Sequence, residues 1–239
     1  EPTSSDALAS TSGKVTDENG QPMAGITVTL YQFDDYSNYW SVSRAITTSV
    51  DGNYKAIALG AGVYRIQFYG VERGYETVYW GGSAIAENAK EVVIVGNPVS
   101  GIDMMLHPGA VLTGSVSILN EQTATSGSVS VWQQAGTEWL QATESPISTT
   151  GTYEIAGLPA GVYRLWAETH YVGKDYNRDA LTGAYGGNDL ESAQNITLTL
   201  GETKTNLDIV LGFAQSEGVI KGKVMAGNTP FDKLPVQGR

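Results

Sequence analysis

DGNYKAIALGAGVYRIQF at 51–68 is answered by TGTYEIAGLPAGVYRLWA at 150–167. The identities fall in a turn, a small-residue linker and the start of a strand, so the repeated object is a structural module rather than a set of reactive groups. The likeness extends outward. SGKVTDENGQPMAGITVTLYQ (12–32) corresponds to TGSVSILNEQTATSGSVSVWQ (113–133), and YWGGSAIAENAKEVVIVGNPVSGIDMML (79–106) aligns without a gap to AYGGNDLESAQNITLTLGETKTNLDIVL (184–211). A third opening, KGKVMAGNTPFDKLPVQG, begins at Lys221 and stops, as expected of a piece of a longer protein. A period of roughly a hundred residues suits one small β-sandwich per repeat rather than one turn of a solenoid. The expected division is a flexible leader at 1–11, repeats at 12–107 and 108–214, and the start of a third at 215–239.

Hydrophobicity alternates with period two, and no segment carries a sustained helical stripe. In ITVTLYQ (26–32), Ile26, Val28 and Leu30 share one face and Thr27, Thr29 and Tyr31 the other. The closing strand puts Ile102, Met104 and Leu106 together, matched by Leu207, Ile209 and Leu211. Asn19-Gly20, Asp51-Gly52 and Gly60-Ala61-Gly62 punctuate the runs with residues that supply the φ angles tight turns need. The pattern predicts an all-β chain of tandem antiparallel sandwiches. Tyr64 and Tyr163 are expected to plug a corner of each, ring inward and hydroxyl to nearby backbone. Arg65 and Arg164 fall on the opposite face, where solvent is expected.

Composition narrows the function. The 239 residues suffice for a core in each repeat. With 14 Lys and Arg against 25 Asp and Glu, the formal charge of −11 disfavours nucleic acid and anionic lipid as partners. There is no cysteine, which excludes disulfides and thiolate-bound metals. No apolar run is long enough to span a bilayer. These features suit a secreted or cell-surface protein without membrane insertion.

GKVTDENGQPMAGITVTL, DGNYKAIALGAGVYRIQF and the GIDMML ending together resemble the carboxypeptidase regulatory-like and Cna-B-type domain families. The resemblance implies prealbumin-like, seven-stranded sandwiches, also described as a carbohydrate-binding-like fold, found as stalks of Gram-positive adhesins and beside secreted hydrolases. It also raises the Lys–Asn or Lys–Asp isopeptide link of Cna-B-type domains, for which Lys14 and Asp103 are the candidates and Glu168 a counterpart of the promoting acid. Lys14 and Asp103 have the parity of outward-facing residues, and Ser115 replaces Lys14 in the second repeat, so no such link is expected.

Chemistry is sparse. His107 and His170 occupy non-equivalent places and belong to no metal-ligand spacing or nucleophile motif. The fold is duplicated without duplication of any His, Asp or Ser constellation, so an enzyme is not expected, and no catalytic or metal residue and no cofactor is assigned. Asp17, Glu18 and Asn19, like Asp34 and Asp35, are oxygen donors suited to calcium but read as turn formers. Asp175, Asn177 and Asp179 begin an EF-hand-like alternation that Leu181 breaks.

Aromatic loops are the strongest lead to a ligand. Tyr36, Tyr39 and Trp40 crowd FDDYSNYWSVS, and Tyr75, Tyr79 and Trp80 crowd GYETVYWGG. Flat rings beside amides and carboxylates are what sugar binding uses, so Tyr39, Trp40, Tyr79 and Trp80 are the candidate stacking residues, with polysaccharide or cell-wall glycan as partner. The competing assignment of these rings is structural packing. The leading expectation is a non-catalytic stalk or spacer of a bacterial surface or secreted protein, with neighbouring domains of a longer chain as its partners. The alternative is a carbohydrate-binding accessory region of a secreted polysaccharide-degrading enzyme.

Overall fold

The computed structural model describes residues 9–118, 122–124, 126–172 and 178–212, with the short segments 225–226 and 229–230. The first repeat contains β1 (Ala9–Asp17), β2 (Thr27–Asp34), β3 (Tyr39–Thr47), β4 (Asn53–Leu59), β5 (Gly62–Tyr69), β6 (Thr77–Tyr79), β7 (Val92–Ile94) and β8 (Met104–Leu106). The second contains β9 (Ala110–Ile118), β10 (Gln122–Thr123), β11 (Ser128–Ala135), β12 (Glu138–Pro146), β13 (Thr152–Leu158), β14 (Gly161–Val172), β15 (Arg178–Ala184), β16 (Ile196–Leu198), β17 (Thr203–Lys204) and β18 (Ile209–Leu211). Of the third opening, only a pairing of Met225–Ala226 with Thr229–Pro230 lies within the described residues.

Each repeat is a sandwich of two sheets. In the first, order β4-β1-β8 faces order β3-β2-β5-β6, with β7 also on β5. Because β6 pairs with Gln67–Tyr69 and β7 with Gly62–Tyr64, the two are pieces of one interrupted edge line. That gives the seven strand lines of the expected fold. The second sandwich repeats the plan, with β12-β11-β14-β15 and β16 in one sheet and β13, β9 and β18 in the other. Alternation produced the expected faces: Val28 and Leu30 are buried between half-buried Thr27, Thr29 and Tyr31. Two core clusters result, one running from Ala9 to Leu106 and one from Ala110 to Leu211. β1 begins three residues inside the stretch read as leader, because Ala9 packs in the core opposite Leu59 and Thr11 pairs with Ala56.

Repeated identities now have physical reasons. The Tyr64 hydroxyl donates to the Gly60 carbonyl at 2.9 Å, and the Tyr163 hydroxyl to that of Pro159 at 2.7 Å. Both rings are fully buried, so each corner tyrosine satisfies its one polar atom locally while filling the core. Tyr54 and Tyr153 make a second such pair, donating to the carbonyls of Ile102 and Leu207 at 2.7 and 2.6 Å. Gly13 and Gly114 leave room for this contact: a Cβ on either would lie 2.0 or 2.3 Å from those same carbonyl oxygens.

The gapless alignment of 79–106 with 184–211 needs correction. Val92 and Ile196 are equivalent because each faces its corner tyrosine, Tyr64 or Tyr163. Leu106 and Leu211 are equivalent because they pair with Asp17 and Ile118. These two matches differ in spacing by one residue, so a loop deletion and a loop insertion cancel along the alignment.

Candidate functional site

Two places could serve function: the junction between sandwiches and the outer face of each larger sheet. At the junction, β8 ends at Leu106 and β9 begins at Ala110. The three residues between are held on both sides. The Glu76 N–H donates to the His107 carbonyl at 3.0 Å, and the Gly109 N–H to that of Gly74 at 3.0 Å. From the second sandwich, the Gly201 N–H donates to the Pro108 carbonyl at 2.9 Å. Glu76, buried, accepts from the His107 backbone N–H at 3.1 Å and sits 2.8 Å from its Nδ1. A carboxylate placed there completes polar groups that would otherwise be buried without partners. Across the gap, Gly157 has φ +75, and a Cβ on it would lie 2.5 Å from the Val71 side chain. Its counterpart in the first sandwich is Ala58, also left-handed at φ 60. Glycine thus stands where the second sandwich packs against the first.

The outer faces overturn the expectation that Arg65 and Arg164 are solvated. Arg65 lies 4.1 Å from the Trp40 ring centroid and pairs with Glu91 at 3.2 Å. Arg164 lies 4.2 Å from the Trp139 centroid, donates from Nε to Asn195 Oδ1 at 2.8 Å and from Nη1 to the Leu190 carbonyl at 2.8 Å. Both copies thus carry a tryptophan–arginine stack, anchored by a polar residue just before the strand that faces the corner tyrosine. Each such contact contributes about 0.5–2 kcal/mol, more when shielded from water. The sequence held a signal for it: each arginine follows its tryptophan by 25 residues.

The four candidate stacking residues are spread over different surroundings. Tyr39 is 67% exposed, and Tyr36 beside it fully so. Trp40 is half-buried between the Arg65 guanidinium and the Phe33 ring, whose centroid is 5.1 Å away. Tyr79 packs at 6.2 Å from Tyr31, and burial, then the neighbouring Tyr31 and Glu87, push its hydroxyl up to about 12. Trp80 packs against the core with the Lys90 ammonium 4.3 Å from its ring. The interface-type residue that sequence reasoning missed is Trp166, half-buried on the outer face beside Trp132.

The acidic clusters are spent on turns. Asp17 accepts from the N–H groups of Asn19 and Gln21, and Asp34 from those of Tyr36 and Ser37. Asp175 and Asn177, with the Asp179 and His170 side chains, lie outside the described residues. Lys14 and Asp103 are exposed, and Asp103 accepts from the Lys14 backbone N–H at 2.8 Å. Asp208 does the same for Ser115, so this aspartate clips the first strand to the closing strand in both copies. Among the described residues, no group of three or more His, Cys, Asp or Glu is placed to hold a metal ion, and no helix is long and apolar enough to cross a membrane.

Residues 10–95 match the family model of the carboxypeptidase regulatory-like domain. The first sandwich is a carboxypeptidase regulatory-like domain. Serine-aspartate repeat-containing protein D of Staphylococcus aureus (strain Newman) is 28% identical over 170 residues, which cover 65% of this chain and 12% of that protein. Among solved structures, a Streptococcal ancillary pilin is similar at 14% identity and TM-score 0.33, covering 87% of this chain and 63% of that one. A minor pilin of Streptococcus agalactiae is similar at 13% identity and TM-score 0.30, covering 91% and 99%. The second sandwich repeats the strand plan of the first, and the two copies differ in buried residues, such as Phe68 and Ala167, as well as at the surface and the junction.

Proposed function

We propose that the chain is a non-catalytic module array, a stalk or spacer within a bacterial surface or secreted protein. The observation that carries this is the junction. Backbone bonds join His107 and Gly109 to the 74–76 loop, and Gly157 packs under Val71, so little chain is left free to act as a hinge. A structural element that holds a fixed distance needs this coupling, whereas a tethered binding module works as well on a loose linker. Nitrogen-15 relaxation tests it: both sandwiches should report one rotational correlation time. Two independent times in the unaltered chain would overturn the stalk.

The second reading is glycan stacking at the exposed loop, favoured by the full exposure of Tyr36 and the 67% exposure of Tyr39. Retention on insoluble polysaccharide, abolished by Tyr39→Ala with Tyr79→Ala as comparison, is its test.

A further inference from the structure

The chain has five tryptophans. Three of them, Trp40, Trp80 and Trp139, each have a cation of the same chain 4.1–4.3 Å from the ring centroid. Trp132 and Trp166 have none among the described residues. These two line a groove of about 440 Å³ on the outer face of the second sandwich, together with Asp189, Leu190 and Glu191. They lie diagonally on neighbouring strands, since Trp132 pairs with Arg164 and Ser130 with Trp166.

The groove is held in shape. The Trp132 indole N–H donates to Ser130 Oγ at 2.9 Å, and that hydroxyl donates to the Trp166 carbonyl at 3.2 Å, which fixes the first ring. Arg164 grips the Leu190 carbonyl and Asn195, fixing the loop that carries the acidic rim. Ser192 donates its N–H and hydroxyl to Asp189 Oδ1 at 2.7 and 2.6 Å, holding that carboxyl below its usual range and therefore charged. Glu191 is exposed beside it.

In the first sandwich the same site is filled. By register, Tyr31 stands for Trp132, Gln67 for Trp166 and Tyr79 for Ala184. There the Tyr79 ring lies against Tyr31, whose hydroxyl donates to Gln67 Oε1 at 3.2 Å. Replacing the large Tyr79 by Ala184 removes that filling ring.

We infer that the Trp132–Trp166 groove is a docking site for an arginine side chain of a protein partner. Two π faces and two carboxylates match a guanidinium, which stacks on indole and pairs with carboxylate at once. Two of the three occupied tryptophans in this chain are already covered by arginine in that manner, and the formal charge of −11 favours a basic partner. The proposal is independent of the stalk reading, since a rigid or a loosely jointed array would present the same groove.

The test titrates the 239-residue chain with acetyl-Gly-Arg-Gly-amide while following the five indole N–H signals by NMR. The signals of Trp132 and Trp166 should move and those of Trp40, Trp80 and Trp139 stay. The citrulline peptide, which keeps shape and loses charge, should bind about tenfold more weakly. Trp166→Ala should abolish the response. Glu191→Lys, on an exposed position that spares the fold, should weaken it about five- to tenfold and lower its salt sensitivity. Equal binding of the citrulline peptide, no movement of either indole, or cellohexaose or chitohexaose moving them where the arginine peptide does not would overturn the proposal. So would movement on raising protein concentration alone, which would make a second copy of the chain the occupant.

Discussion

On the larger sheet of the first sandwich, Tyr31, Gln67 and Tyr79 close on one another; on that of the second, Trp132, Trp166 and Ala184 leave a groove with an acidic rim. A few steps away on the same sheets, Trp40–Arg65–Glu91 and Trp139–Arg164–Asn195 are nearly superimposable in chemistry. The stacks and the corner tyrosines are the same in both copies, whereas groups that face solvent beyond the stack differ. The first sandwich seals its face there, and the second opens it.

The comparison is most severely strained at high pH. Tyr54 and Tyr153 are held far above the usual phenol range by burial and then by Asp103 or Asp208, and Tyr163 by burial and then by Glu76. Each is neutral in the fold, so its stabilisation is complete below the ordinary value near 10 and is lost as pH rises toward the raised folded value. Burial also pushes Tyr79 of the first sandwich up to about 12, so each sandwich carries two strongly raised phenols. Both sandwiches should therefore lose stability over the same alkaline range when titration is followed by tyrosinate absorbance and circular dichroism. Loss of one sandwich well before the other would show that its pair of phenols dominates the alkaline transition.

Next in size are Ile66→Ala and Leu165→Ala, equivalent positions in β5 and β14 that are fully buried. Each should cost about 2–5 kcal/mol in denaturant unfolding, from lost burial and the cavity left behind. The change should appear in the fluorescence of the altered sandwich's own tryptophans. Gly157→Val should follow, at about 1–3 kcal/mol, from its positive φ and the approach of Val71. It should also split the single rotational correlation time into two. Arg164→Ala should cost about 1–2 kcal/mol and Arg65→Ala less, because only Arg164 also ties down a loop carbonyl. Smallest of all, Ala58→Gly should stabilise by a few tenths of a kcal/mol, relief of the left-handed strain being partly offset by backbone entropy. A loss of stability there would mean that Ala58 has a packing role that its counterpart Gly157 lacks.

Much of this was legible in the chain itself. Alternation put Val28, Leu30 and Leu106 inside, and the doubled GVYR marks the corner tyrosine whose hydroxyl bonds Gly60 or Pro159. The arginines beside them were misread because parity tells which face a side chain leaves from and says nothing about what stands there. Arg65 meets Trp40 only because β2 lies between β3 and β5, a lateral order that sequence spacing does not encode. Trp166 was overlooked for a related reason: it follows the recognised repeat motif and looks like part of it, yet the first copy has Gln67 there. The candidate platform of Tyr39, Trp40, Tyr79 and Trp80 grouped rings that are neighbours in sequence, whereas adjacent residues of a strand face opposite ways.

The first and last strands of each sandwich run side by side in parallel, β1 with β8 and β9 with β18, clipped by Asp103 and Asp208. A pull on the two ends of either module is therefore directed along those strands in opposite senses. The interstrand bonds are loaded in shear, all at once, instead of being peeled apart one after another. Tension passes from one module to the next through three residues that are themselves bonded on both sides. The same arrangement that closes each sandwich would therefore resist a pull applied along its length.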